Sequence, residues 1–286
     1  MRAMILGANG MLAHDLVATA PRDISLFPFT HAQLDITDVH LVAEAVASVR
    51  PHVVINAAAY TAVDRAETEQ ELAFRVNAEA VRELGRIAAR AGARVVHFST
   101  DYVFDGKATE PYEEDSPTNP VNAYGASKLA GETALRESRA SFLILRTQWL
   151  FGLHGRSFPR TMWERATAGL ATKAVRDQTG RPTYAEDLAR ATWALIAHGA
   201  SGVLHVTNNG GATWFDLAAH IFARVGRSNL LTPCTTGEFP TRARRPRYSV
   251  LDTLRLERRL GAPLPDWRCA VESFLQGCAD PAPATE

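Results

Sequence analysis

The chain has 286 residues, 46% of them hydrophobic, and its 31 basic and 31 acidic side chains cancel to a formal net charge of zero. That length buries a sizeable core as one large domain or a domain and a half. The lack of a basic excess argues against nucleic acid as a partner, and the densest basic stretch, 242–247, is local.

No apolar run approaches the roughly 20 residues that a spanning helix needs, so no membrane partner is expected. The first apolar run is short and ends in glycine, unlike a signal peptide. Cys234, Cys269 and Cys278 are odd in number and widely spaced, which suits neither a disulfide framework nor a zinc site. A soluble protein of a reducing cytoplasm is the expectation.

Along the chain, short apolar runs alternate with helical patterns. Strands are predicted over 3–6, 24–29, 52–56, 94–99 and 141–146, with helices over 11–20 and 39–49. A long helix is predicted over 67–91, because Leu72, Val76, Leu84 and Ile87 recur near helical spacing and Gly92 ends it. Strands that are apolar throughout are buried on both faces, which gives an α/β fold with a Rossmann-type, doubly wound parallel sheet.

After Gly152 the pattern loosens, and 203–206 and 221–225 read as short apolar pieces between loops. The expected division is a nucleotide-binding domain of 1–152 plus about 183–206, and a smaller C-terminal substrate-binding lobe of about 153–182 plus 207–286. The tail 279–286 is expected to fray.

Three motifs follow one another. Gly7-Ala-Asn-Gly10 joins the first strand to the first helix, which suits a phosphate held by main-chain N–H groups. Gly7 permits the turn, Gly10 lets the backbone approach a pyrophosphate, and Ala13 stands where a third glycine is usual. A plain strand-to-helix turn would look the same, and alone this motif decides little.

The second strand ends at Phe29-Thr30-His31 without the acid that would hydrogen-bond the ribose of NAD. NADPH is therefore slightly favoured, or both cofactors. Asp38 reads as a helix cap, with Asp35 and Ile36 flanking an adenine, and Ala57, Ala58 and Ala59 make a strip that a cofactor can lie against.

The second motif is Ser99-Thr100-Asp101 and the third Tyr124-Gly-Ala-Ser-Lys128. Four residues apart on a helix, Tyr124 and Lys128 share a face. A phenol titrates near 10, so a nearby ammonium is expected to make it a usable acid–base group. Thr100, at a strand end, is expected to donate to a substrate carbonyl. An amphipathic surface pair is the alternative for Tyr124 and Lys128 taken by themselves.

With these residues the chain resembles the extended short-chain dehydrogenase/reductase family and, within it, the dTDP-4-dehydrorhamnose reductases. The resemblance rests on Asn56-Ala-Ala-Ala-Tyr-Thr-Ala-Val-Asp64 with Ala66-Glu67, and on Phe98-Ser-Thr-Asp-Tyr-Val-Phe-Asp-Gly106. It continues through Tyr124-Gly-Ala-Ser-Lys128-Leu-Ala-Gly-Glu132, Arg146-Thr-Gln-Trp149, Asp177-Gln178, Pro182-Thr183, Arg244-Arg-Pro246, Ser249, Leu251 and Pro265-Asp-Trp267.

The resemblance implies NADPH- or NADH-dependent reduction of the 4-keto group of a dTDP-sugar. It implies Thr100, Tyr124 and Lys128 as catalytic residues. It puts cofactor contacts at Gly7, Asn9, Gly10, Met11, Leu12, Thr30, Asp35, Ile36 and Ala57 to Ala59, together with Tyr124 and Lys128. Substrate contacts fall on Val63, Thr100, Asp101, Tyr102, Trp149 and Arg244. Some members form a magnesium-linked dimer through acidic residues. Only Asp15 and Glu186 look comparable here, so no metal is expected, and a homodimer rests on the resemblance alone.

Gln148 stands where a serine is common. Alternatives are a sister reductase of another dTDP-4-ketosugar, of the dihydrostreptose type, and a non-catalytic regulator like the regulatory subunit of methionine adenosyltransferase. An epimerase or dehydratase fits less well, because dehydratases carry Asp-Glu after the threonine where this chain has Asp101-Tyr102.

Overall fold

The computed structural model describes residues 1–279. Of the tail expected to fray, only Ala279 is among them, as the last residue of the last helix; the rest lies outside the described residues. The N-terminal half runs β1 (Arg2–Leu6), α1 (Met11–Ala18), β2 (Ser25–Phe29), α2 (Val39–Val49) and β3 (Val53–Asn56). Two short helices, α3 (Val63–Ala66) and α4 (Gln70–Phe74), lead through a π-helical turn, Arg75–Glu79, into α5 (Ala80–Ala91). Then come β4 (Arg94–Thr100), α6 (Ala123–Glu137) and β5 (Phe142–Thr147).

The chain continues through β6 (Leu150–Phe151), α7 (Phe158–Thr167), β7 (Thr172–Val175), β8 (Thr179–Gly180), β9 (Thr183–Tyr184) and α8 (Ala185–Ala197). It ends with β10 (Gly202–His205), β11 (Ala212–Thr213), α9 (Trp214–Arg224), β12 (Leu231–Cys234), α10 (Leu254–Leu260) and α11 (Trp267–Ala279).

Six strands in the order β10-β5-β4-β3-β1-β2 form one sheet, and every pairing in it is parallel. The period of two sends alternate residues to opposite faces. Ala3, Ile5, Val53, Ile55, Val96, Leu143 and Leu145 pack against Leu12 and Leu16 of α1 and Leu188 and Leu195 of α8. Met4, Leu6, Val54, Val95 and Ile144 pack against Val42 and Val46 of α2 and Val81, Leu84 and Ala88 of α5. The unbroken apolar runs follow from this double burial.

A third apolar cluster joins Phe151, Met162, Leu217, Ile221, Phe222, Trp267, Val271 and Phe274 from β6, α7, α9 and α11. The piece expected at 221–225 is the end of α9 rather than a separate element.

The predicted helix over 67–91 differs most. It begins at Gln70 and is interrupted by the π-helical turn. The cause is α6: a Cβ on Gly131 would stand 2.1 Å from the Asn77 carbonyl, so the two backbones are in close contact there. The widened turn brings Asn77 to hydrogen-bond both the N–H and the carbonyl of Tyr60 and the Ser127 hydroxyl. Gly92 does cap α5 in the left-handed conformation, at φ 65°, and Asp38 caps α2 by accepting from the N–H groups of His40 and Leu41.

α6 is fastened to the sheet by a buried ion pair. Arg146 donates through Nε at 2.8 Å and through Nη2 at 2.7 Å to the Glu132 carboxylate. Ser99 donates to the same carboxylate at 2.6 Å, and Arg146 also reaches the Glu114 carbonyl. The two charged side chains are 2% and 0% exposed. Removing one partner strands the other in a dry interior, so Glu132→Ala is expected to cost about 3–5 kcal/mol. Urea unfolding checks this, and a loss under about 1 kcal/mol would mean that water compensates Arg146.

Candidate active site

The strand order reverses direction between β1 and β3, and at their carboxyl ends the two following loops separate, which opens a cleft. Gly7 turns the chain at φ +77°, and a Cβ there would meet the Ala58 main chain at 2.9 Å, so glycine is required on both counts. Gly10 N–H closes the turn onto the Gly7 carbonyl. Gly10 caps α1 without any side-chain partner, which leaves first-turn N–H groups free for an anion.

One lobe of the cleft, about 500 Å³, is lined by Gly7, Asn9, Gly10, Asp35, Ile36 and Ala57 to Ala59. The other, about 570 Å³, is lined by Met11, Leu12, Val63, Thr100, Asp101, Tyr102, Tyr124, Lys128 and Trp149. Gly10, Ala57 and Ala59 border both, so this is one elongated cleft. A narrow glycine cradle, an apolar strip and an uncapped helix start suit a dinucleotide in the first lobe.

The second lobe is built on α6. Asn122 caps it by accepting from Gly125 N–H at 2.8 Å, and Gly125 is needed because a Cβ would stand 2.1 Å from the Tyr102 carbonyl. That close approach brings the first turn of α6, with Tyr124, against the end of β4, with Thr100. Tyr124 is half-buried in the cleft wall, and desolvation together with the nearby Asp101 charge raises its phenol above the usual value, a contact with Thr100 working the other way. Burial pushes Tyr102 up to about 12 and Asp101 up to about 6.

Lys128 Nζ donates to the Phe98 carbonyl at 2.6 Å and lies 3.3 Å from His97 Nε2. Burial lowers its pKa to about 8, with Glu132 opposing. Lysine and phenol thus face one cleft, as expected. The ammonium, however, is held by a carbonyl beneath the helix, and burial keeps the phenol protonated.

Trp149 adopts φ 47° and stacks on Trp214 at 3.6 Å between ring centroids. Trp214, at the start of α9, also lines the cleft. No local motif marks it in the sequence, which is why it was missed. Arg75 and Tyr60 were missed likewise, since Arg75 enters the first lobe through the π-helical turn.

The structure places two expected contacts outside the two lobes. Thr30 does not line the cleft: its hydroxyl and N–H are both turned to Gln33 Oε1, and His31 faces the first lobe instead. Arg244 lies in a separate pocket with Asp177, Thr236, Arg245 and Arg247, its carbonyl held by Asn122. The neighbouring Arg245 bonds Asp64 at 2.8 Å and lies over the Tyr102 ring. Asp35 lines the first lobe, but Oδ1 accepts from the N–H and hydroxyl of Thr37, and Oδ2 lies 3.4 Å from His31.

Asp15 is pushed up to about 6 by burial and by the charge of Glu186. Among the described residues, no group of three or more His, Cys, Asp or Glu is placed to hold a metal ion.

A parallel doubly wound sheet with a glycine cradle and a Thr-Tyr-Lys wall at its switch point defines a reductase of the extended short-chain class. The chain belongs to the family described as RmlD substrate binding domain, whose model matches residues 1–279. It is 45% identical over 295 residues to a Streptomyces antibioticus protein named probable dTDP-4,6-dihydroxy-2-methyloxan-3-one 4-ketoreductase, covering 100% of this chain and 98% of the relative. It is 40% identical over 288 residues to the dTDP-4-dehydrorhamnose reductase of Burkholderia thailandensis, covering 95% and 97%. A solved dTDP-4-dehydrorhamnose reductase of Bacillus anthracis str. Ames, in complex with NADP, superposes with a TM-score of 0.92 at 38% identity, covering 96% of this chain and 98% of that one.

Arg75 and His31 are the basic side chains of the first lobe, and Asp35 is already engaged there. Arg75→Ala is expected to raise KM for NADPH about tenfold, the loss of one charge-assisted phosphate contact, and to leave KM for NADH within about twofold. Initial-rate kinetics with both cofactors check it; equal effects would assign Arg75 to the adenine instead.

Proposed function

We propose that the protein reduces the 4-keto group of dTDP-4-dehydro-L-rhamnose to give dTDP-L-rhamnose, with NADPH or NADH as reductant and Tyr124 as proton donor. The observation that carries the reading is the convergence of Thr100, Tyr124 and Lys128 on one wall of a cleft whose other lobe is a dinucleotide cradle. The same convergence favours catalysis over a purely regulatory role.

The cofactor, when bound, supplies the hydride that goes to C4. Gly7, Gly10 and the first-turn N–H groups of α1 would hold its pyrophosphate, and the Ala57 to Ala59 strip its flat surface. The ketone oxygen takes the Tyr124 proton as charge builds on it, so one hydride and one proton convert C=O to CH–OH. Burial suits this direction, since it keeps the phenol protonated until an alkoxide-like oxygen is beside it. Trp149 and Trp214 present an apolar ring surface to the sugar, and Asp101 and Tyr102 supply polar edges.

No helix among the described residues is long and apolar enough to cross a membrane. The reading takes the enzyme to be cytoplasmic, and a homodimer stays part of it through family resemblance. About 153–182 and the described residues from 207 onward are taken as the substrate lobe over the nucleotide-binding sheet.

A second reading, reduction of another dTDP-4-ketosugar, is favoured by the name of the Streptomyces relative. Oxidation of NADPH with each synthetic ketosugar, followed by product chromatography, separates the two. The first reading expects the higher kcat/KM with dTDP-4-dehydrorhamnose, and a preference for another ketosugar selects the second.

Tyr124→Phe is expected to lower kcat at least about 100-fold, with cofactor still bound; near-normal turnover removes the tyrosine from the mechanism. Lys128 has a depressed pKa, so its ammonium is present below about pH 8 and lost as pH rises through that value. A fall in kcat on the alkaline side near pH 8 is expected in a pH–rate profile, and a flat profile to pH 9.5 would detach the ammonium from turnover.

A further inference from the structure

The loop between β6 and α7 lies along the start of α1. A Cβ on Gly152 would stand 3.2 Å from Met11 Cγ, and His154 stacks on His14 at 4.3 Å between ring centroids. From its other side the loop is held by Arg160, whose Nη2 donates to the Leu153 carbonyl at 2.7 Å. It is also held by α11, where a Cβ on Gly277 would meet Leu153 Cδ1 at 2.6 Å. Ser157 then caps α7 by accepting from Arg160 N–H. The backbone of 152–157 is therefore fixed against α1, and it carries Arg156.

Arg156 itself is exposed and takes part in none of the ion pairs among the described residues. It lines the sugar lobe together with Gly155 and with Gly10, Met11 and Leu12, the cap and first residues of α1. The other cation of that lobe, Lys128, is committed to the Phe98 carbonyl. Gly10 borders both lobes, so the free guanidinium stands near the place where they join.

Charge gives that position a meaning. The pyrophosphate of a dinucleotide is doubly anionic, and the start of α1 offers it N–H groups and about half an elementary positive charge. Met11, Leu12 and Ala13 add no charge, and Asp15 beyond them is acidic. His31 and Arg75, the basic side chains of the first lobe, share the adenosine end with Asp35 and Ile36. A cation is missing beside the pyrophosphate, and a guanidinium fork matches phosphate oxygens.

We propose that Arg156 closes on the cofactor's pyrophosphate from the side opposite α1. The anion is then held between a helix start and a guanidinium carried by the loop that leads into the substrate lobe. The proposal rests on the dinucleotide cradle and not on which ketosugar is reduced. Because the pyrophosphate is common to NADPH and NADH, Arg156 strengthens both alike, the opposite of the pattern expected for Arg75. The competing partner is the diphosphate of the sugar nucleotide, which enters the same lobe.

The test is ligand binding to the protein without sugar, followed by isothermal titration calorimetry. Arg156→Gln is expected to raise Kd for NADPH and for NADH about tenfold each, the loss of one charge-assisted phosphate contact. ADP-ribose has the pyrophosphate without the nicotinamide, and it is expected to weaken by the same factor. Adenosine 2′,5′-bisphosphate has no pyrophosphate and is expected to stay within about twofold, as is dTDP. Arg156→Lys keeps the charge without the fork and is expected to fall between wild type and Arg156→Gln. At about 1 M salt the gap is expected to narrow, since an exposed charge is screened.

Equal Kd values for both dinucleotides and ADP-ribose in wild type and Arg156→Gln overturn the proposal. A loss confined to dTDP overturns it in favour of the sugar nucleotide's diphosphate, and a loss confined to NADPH and adenosine 2′,5′-bisphosphate moves Arg156 to the 2′-phosphate instead. Should Arg156→Gln fail to fold, Arg156→Lys is read against the same outcomes. Wild-type protein that binds neither dinucleotide rejects the reductase reading as well, whereas cofactor binding that ignores Arg156 rejects this proposal alone.

Discussion

Everything at the chemical end of the cleft is anchored to one dry ion pair. Glu132 lies two turns along α6 from Tyr124 and one turn from Lys128, and it faces Arg146 of β5 and Ser99 of β4. Ser99 precedes Thr100, and Arg146 precedes Thr147 and Gln148. A single buried carboxylate thus sets the distance between the helix that carries the phenol and lysine and the strands that carry the threonine, aspartate and glutamine. Such a pair is a weak source of net stability, because desolvation offsets the attraction. Its geometric effect is the stronger argument: the bidentate fork tolerates only one rotation of α6 on the sheet.

Burial is the second constraint, and it acts on several groups in the same direction. Tyr102 and Tyr124 are raised, Asp101 is raised, and Lys128 and His97 are lowered, each with desolvation as the first cause. In such a site neutral forms are favoured and any charge must be held by hydrogen bonds. Lys128 meets this requirement through the Phe98 carbonyl, and Asp101 through Thr100, Gln148 and Ser249. The picture of an ammonium lowering its neighbouring phenol is therefore incomplete, since desolvation is the largest influence on Tyr124. Here the phenol is a well-protonated donor, which is the state a ketone reduction consumes.

The parallel sheet was legible because its inner strands β1, β3, β4 and β5 are pinched between two helical layers, and a doubly buried strand reads as an apolar run. The cleft residues near those strand ends were legible too, since glycine, alanine and the Ser-Thr-Asp and Tyr-x-x-x-Lys patterns are local. Features made by contact between distant segments were not. The π-helical turn that admits Arg75 depends on the approach of Gly131, more than fifty residues away. Trp214 reaches the cleft only because α9 starts beside Trp149. In the run Arg242 to Arg247, composition gives four equivalent cations, and only the fold decides that Arg245 pairs with Asp64 while Arg244 points elsewhere.

The aromatic wall shows how such long-range contacts bear on substrate class. A tryptophan at φ 47° is costly, about 1–3 kcal/mol for a non-glycine residue, so something must hold it there. The stack with Trp214 does so from one side. Gly180 leaves room for the indole, since a Cβ there would stand 2.7 Å from the ring. Trp214 is in turn tethered by its Nε1–H to Gln178, which bonds Thr236. The wall so fixed sets an apolar ring surface beside the polar edge formed by Asp101 and Tyr102. The methyl group of a 6-deoxy sugar suits such a ring surface under either reading of the substrate.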